Sequence, residues 1–165
     1  MNLRWPEAQP MLGGEPVILR GWRSSDTESV FVACQDETLQ NFTRVPSPYT
    51  MADAEKYITL GIDVWQSHSG VNFAIADGSD EVIGAIALQN INESQFVGEI
   101  GYWVADFARG QRVARQAVEL LASWAHDELG LMRMILKIQR ENTASIAAAL
   151  AAGARPTGTT VDEEL

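Results

Sequence analysis

The order of residue types between Glu99 and Gly153 leaves this chain few folds to adopt. Glu99-Ile100-Gly101-Tyr102-Trp103-Val104 reads as a strand interrupted by glycine. A turn leads to Arg109-Gly110-Gln111-Arg112-Val113-Ala114, and a helix is predicted from Val113 to about Leu129. Ala114, Ala117, Val118, Leu121, Trp124, Ala125 and Leu129 form its apolar stripe, and Gly130 stands where a helix-terminating glycine belongs. Met134-Ile135-Leu136-Lys137-Ile138 has the pattern of a buried strand. An alanine-rich helix follows, from Asn142 or Thr143 to Ala152, and Gly153 stops it. A basic, glycine-containing loop that feeds a helix N-terminus is a place to hold phosphate, because the first N–H groups of a helix have no internal partner.

Upstream, Val17 to Trp22 reads as a strand opened by Pro16. Ser25 and Glu28 have the spacing of a capping box for a helix running to about Cys34. A second helix, begun at Thr50 or Asp53, carries Ala54, Tyr57, Ile58, Ile62 and Trp65 at helical spacing and ends between Ser67 and Gly70. Asn72–Ala76, the turn Asp77-Gly78-Ser79-Asp80 and Glu81–Leu88 form a predicted hairpin, followed by a strand over Phe96–Val104. Strand, two helices, three strands, helix, strand, helix is an α/β (α+β) order, a sheet with helices on both faces. Residues 1–14 are expected to be a loose arm, and residues 15–165 one domain, which suits a chain of 165 residues.

The net charge of −10 disfavours general nucleic-acid binding, which needs a positive footprint; it either attracts a cationic or amine-bearing substrate or serves only to keep the chain soluble. No apolar run approaches the roughly 20 residues of a membrane span. Cys34 is the single cysteine, so no internal disulfide can form; it is read as a small buried hydrophobe. With no export signal in the first residues, a cytoplasmic protein is expected. His68 and His126 do not make a metal motif, and no metal is expected.

The order and the motifs resemble the GNAT superfamily of acyl-CoA-dependent N-acetyltransferases, and within it the branch that acetylates N-terminal amines of ribosomal proteins. The family's pyrophosphate loop, Gln/Arg-x-x-Gly-x-Gly/Ala, is matched by Arg109 to Ala114. The branch's Glu-Ile-Gly-Tyr-Trp strand is matched by Glu99 to Trp103, and its Asn-x-x-Ser by Asn142 to Ser145. The likeness covers about Val17 to Gly153. It implies a mixed, mostly antiparallel sheet, acetyl-CoA as co-substrate and an amine acceptor, either a protein N-terminus or a small molecule. Arg112 stands where the family has glycine and either adds a phosphate contact or obstructs the cradle. The β-hairpin that completes the family's sheet is not legible between Ala154 and Leu165, so it is missing, truncated or supplied by another chain; a homodimer is one such arrangement.

The resemblance assigns cofactor binding to Trp103, Val104, Arg109, Gly110, Gln111, Arg112, Val113, Ala114 and Asn142. The strand at Tyr102-Trp103-Val104 would splay from its neighbour and bond the pantetheine arm, with the Val104 N–H as oxyanion donor. Acetyl transfer also requires that an ammonium lose a proton and that a thiolate gain one. Glu99 is the candidate base, the alternative being a solvent-facing carboxylate on an alternating strand. Ser145 is the candidate acid, the alternative being a first-turn serine that only caps. Asn142 has the same alternative. The acceptor side would come from the first two helices, with Phe42, Tyr49, Tyr57 and Trp65. A rival reading keeps the fold but makes the chain a non-catalytic acyl-CoA sensor or interaction module. A nucleotide-binding domain of another kind is disfavoured, since the loop has neither Gly-x-Gly-x-x-Gly nor a Lys-Ser/Thr pair.

Overall fold

The computed structural model describes residues 2–158. Six strands form one sheet in chain order: β1 Leu12–Gly14, β2 Val17–Arg20, β3 Val71–Ala76, β4 Val82–Asn92, β5 Val97–Val104 and β6 Arg133–Ile135. Every neighbouring pair is antiparallel except β5 and β6, which are parallel. The helices are α1 Thr27–Ala33, α2 Glu37–Phe42, α3 Met51–Gln66, α4 Val113–Trp124 and α5 Thr143–Ala151.

Strand alternation sends side chains to two separate cores. Phe73, Ile86, Leu88 and Ile100 meet Ala117, Leu121 and Trp124 of α4 on one face. Ala74, Ala85 and Trp103 meet Val30, Ala54 and Ile58 of α1 and α3 on the other. Phe73, Ile86 and Leu121 are at most 1% exposed, and burying each such side chain stabilises by about 2 kcal/mol. The Arg20 guanidinium, 3% exposed, donates to both Asp26 carboxylate oxygens at 2.9 Å and so ties β2 to the start of α1. Cys34 is buried, and the loss of water pushes its thiol up to about 11 although Tyr49 is hydrogen-bonded to it. No helix among the described residues is long and apolar enough to cross a membrane.

Several expectations are corrected. Residues 2–14 are not a loose arm. Leu12–Gly14 pairs with Val17–Leu19. Upstream, the Arg4 N–H donates to Leu129 O at 2.9 Å, and Trp5 stacks on His68 and meets the edge of Trp65. The apolar residues of this segment have a core to join, which local composition cannot reveal. A third helix, α2, stands ahead of α3; its N-cap Asp36 accepts from the Leu39 N–H. The capping box predicted from Ser25 does not form, and α1 begins at Thr27. α4 ends at Trp124 and closes through one π turn, Ala125–Leu129, into Gly130 at φ 96°. β6 is only three residues long and half-buried, because it is paired on one side alone. Among the described residues no strand follows α5; the acidic end from Val161 to Leu165 lies outside them.

Candidate functional site

Tertiary pairing creates the site where β5 and β6 part. They are in register only at Val97–Arg133, Gly98–Met134 and Glu99–Ile135. Past Glu99 the strands diverge, and β5 continues to Val104 without β6. The Ala105 N–H donates to Ile83 O at 2.9 Å. In an antiparallel pair alternate residues bond the same neighbour, so Trp103 turns its backbone groups to β4. The N–H and C=O of Tyr102 and Val104 therefore face the gap. A Cβ on Gly84 would lie 2.5 Å from Trp103 O, which confirms that this carbonyl faces β4.

The gap opens into a groove of about 480 Å³ bounded by α2, β5, the 109–112 loop, the first turn of α4, and α5. The loop enters α4 through two left-handed residues, Gly110 at φ 76° and Arg112 at φ 63°. Arg112 thus adopts the backbone shape that glycine usually provides. The first bond along the helix axis is from Gln116 N–H to Arg112 O, at 3.1 Å. The N–H groups of Val113, Ala114 and Arg115 precede it, at the positive end of the helix dipole. No side chain lies within 4 Å of a Cβ built on Gly110, so the approach to this end is open.

The predicted residues divide as follows. Trp103, Val104, Arg109, Gly110, Arg112, Val113, Ala114, Asn142 and Ser145 all line the groove. Gln111 does not; its side-chain amide donates to Phe107 O at 3.1 Å. The Arg109 guanidinium is engaged by Asp36, the N-cap of α2. Burial raises the Asp36 pKa, but Arg109 and the N–H groups of Leu39 and Thr38 outweigh it and hold the carboxyl below the usual aspartate range. Asn142 caps α5: its Oδ1 accepts from Ser145 N–H at 3.2 Å, leaving its amide NH₂ for other partners. Ser145 is half-buried, and its carbonyl accepts from the Tyr102 hydroxyl at 2.9 Å. Burial raises the Tyr102 pKa, and the bond to Ser145 lowers it less.

Glu99 is not on the groove wall. It sits at the last paired position of β5 and β6, with its side chain 18% exposed. Its Oε2 accepts from Lys137 Nζ at 3.1 Å and from Asn90 Nδ2 at 3.2 Å. Gly101, two residues on and so on the same face, carries no side chain, and a Cβ there would meet Gln89 Nε2 in ordinary contact at 3.7 Å.

Tyr102, expected on the splayed edge with a core aromatic as the alternative, bridges β5 to α5. Sequence reasoning missed two further contributors. Thr38, Leu39 and Thr43 form one groove wall beside Phe42; the Asp36 cap followed by Leu39 was the available sign of α2. Arg115, in the first turn of α4, also lines the groove, and its Nε donates to Glu119 Oε1 at 2.9 Å. Of the expected acceptor-side aromatics, Phe42 reaches the groove, Tyr57 is half-buried, and Tyr49 and Trp65 are core at 6% and 9% exposure.

Known proteins share both sequence and fold with this chain. An uncharacterized N-acetyltransferase p20 of Bacillus licheniformis is 29% identical over 129 residues, 75% of this chain and 72% of the relative. A Vibrio cholerae protein provisionally described as a ribosomal-protein-serine acetyltransferase superposes with a TM-score of 0.83 at 20% identity, covering 95% of this chain and 90% of that one. Mycobacterium smegmatis RimJ, solved in complex with CoA-disulfide, superposes with a TM-score of 0.81 at 20% identity, covering 96% and 80%. The family model of the acetyltransferase (GNAT) domain matches residues 17–155. That match spans most of the sequence and includes every strand of the site, so the chain belongs to the GNAT acetyltransferases, which take their acetyl group from acetyl-CoA.

Proposed function

We propose that this chain is an N-acetyltransferase that moves the acetyl group of acetyl-CoA to a primary amine by direct attack. The observation that carries this reading is one groove joining the free edge of β5 to the open N-terminus of α4. The residues present fit the co-substrate. Its pyrophosphate suits the N–H groups of Val113, Ala114 and Arg115 together with the Arg112 and Arg115 guanidinium groups. Its amide-bearing arm suits the Tyr102 and Val104 backbone and the Asn142 amide. Bound acetyl-CoA supplies an electrophilic thioester.

The chain's own groups do the rest. Glu99 takes a proton from the acceptor ammonium through water held in the space over Gly101. A free N–H of the β5 edge stabilises developing negative charge on oxygen. The Ser145 hydroxyl supplies a proton to the departing sulfur. The net charge of −10 suits the approach of a cationic acceptor to the molecule. The structural neighbours described as ribosomal-protein acetyltransferases support a protein N-terminus as acceptor, and a small amine satisfies the same chemistry.

Acetyl-CoA titration by calorimetry, followed by CoA release with N-terminal peptides and small amines, tests the reading. Micromolar binding and turnover are expected, with turnover about 100-fold lower in Glu99→Gln, the usual size of a general-base contribution. Binding without turnover over a broad amine panel would favour the sensor reading. Absence of both in a folded chain overturns acetyl transfer.

A further inference from the structure

We infer that Lys137 is an internal acyl acceptor: its ε-amine lies where an external acceptor's amine would meet Glu99, and the site acetylates it in cis. This rests on the proposed transfer from acetyl-CoA with Glu99 as proton acceptor. Lys137 comes two residues after Ile135, the last β6 residue paired with β5, and so lies on the strand as it leaves the sheet. Its Nζ is 3.1 Å from Glu99 Oε2, at the apex from which the free edge of β5 runs to the groove. A chain held at the α4 N-terminus and laid along that edge from Val104 toward Ile100 is directed at this apex. The edge spans roughly 14 Å at the rise of a β-strand.

The carboxylate does not need a lysine to be stabilised, since Asn90 Nδ2 already donates to Oε2 at 3.2 Å. An ion pair this exposed adds little stability, with the Lys137 side chain 53% exposed. Its four-carbon stem lets the amine swing from Glu99 across Gly101, where a Cβ would meet Gln89 Nε2 alone, at 3.7 Å. Composition sharpens the contrast: ten of the twelve basic residues are arginines, and the chain's two lysines are Lys56, on α3, and Lys137.

The step balances. One ammonium proton passes from Lys137 to Glu99 and on to water. The freed Nζ lone pair forms the C–N bond to the thioester carbonyl carbon as the C–S bond breaks. A second proton ends on sulfur, giving the free thiol, and the third stays on the amide nitrogen. No oxidant or further reactant is required.

Peptide mass mapping after incubation with acetyl-CoA tests this, with Lys56 and the N-terminal amine as internal references. Lys137 is expected to gain one acetyl group at least about 10-fold faster than Lys56, as for a reacting group already held in place. The rate should be unchanged on dilution of the protein and should fall about 100-fold in Glu99→Gln. Labelling with acetic anhydride, without CoA, should show no such preference for Lys137, because the ion pair occupies its amine. Equal rates at Lys56 and Lys137, a rate that rises with protein concentration, or the same preference with acetic anhydride would each overturn the inference. Acetyl-CoA binding and turnover of an external amine, with Lys137 unmodified, would overturn it alone. Failure to bind acetyl-CoA would remove the proposed function and this inference together.

Discussion

Arg112 shows what a single residue hides. Its type suggests charge, yet its backbone at φ 63° and ψ 19° makes the turn into α4. An L side chain in that region costs about 1–2 kcal/mol. Arg112→Gly should therefore leave urea stability unchanged or slightly higher, since relief of strain offsets the added freedom of the unfolded chain. Arg112→Val, β-branched and poorly suited to positive φ, should lower stability by about 1–2 kcal/mol. If the guanidinium also holds phosphate, calorimetry on the stable glycine variant will show weaker acetyl-CoA binding, which separates charge from backbone shape. The sequence motif was legible here, but whether the cradle survived the substitution was not, because φ at a non-glycine residue is set by its surroundings.

The helix α2 illustrates the element scale. It is six residues long, too short for a periodic apolar stripe, and its stability comes from Asp36 and from packing. Asp36 also holds Arg109, so the cap joins α2 to the loop that enters α4. Asp36→Ala should cost about 1 kcal/mol in chemical denaturation by loss of the cap. Asp36→Asn keeps a capping oxygen but loses the charge, and it should change the acid limb. The folded Asp36 pKa is depressed, so its stabilisation is present above the unfolded value and is lost as pH falls through the folded one. The wild type should therefore lose more stability than Asp36→Asn as pH drops below about 4; equal acid sensitivity would show that the pair with Arg109 contributes nothing. Arg109 was legible as a motif residue, whereas its partner, far away in sequence, was not.

At the scale of the whole molecule, the N-terminal segment belongs to the main core. Trp5 packs against that core and meets Trp65 at a ring separation of 5.5 Å and His68 at 5.1 Å. Trp5→Ala should lower stability by about 2 kcal/mol, less than for a fully buried tryptophan, as read by thermal unfolding. Stability equal to wild type would show the segment to be the loose arm its composition suggested.

The sequence by itself determined the sheet of β2 to β5, α3, α4, the order of elements apart from β1 and α2, and the family resemblance. Each of these rests on local periodicity and on glycine or cap residues a few positions away. It also named groove residues on β5, the loop and α4, which one continuous motif joins, and Asn142 and Ser145 from a second motif at the start of α5. Only the tertiary structure decided which β5 groups face the gap, since that depends on pairing with β4. The same holds for the contacts of Glu99 with Lys137 and of Arg109 with Asp36, and for the docking of the first residues. Those are contacts between segments distant in sequence, and the free energy that selects them comes from burial and pairing, which no local pattern records.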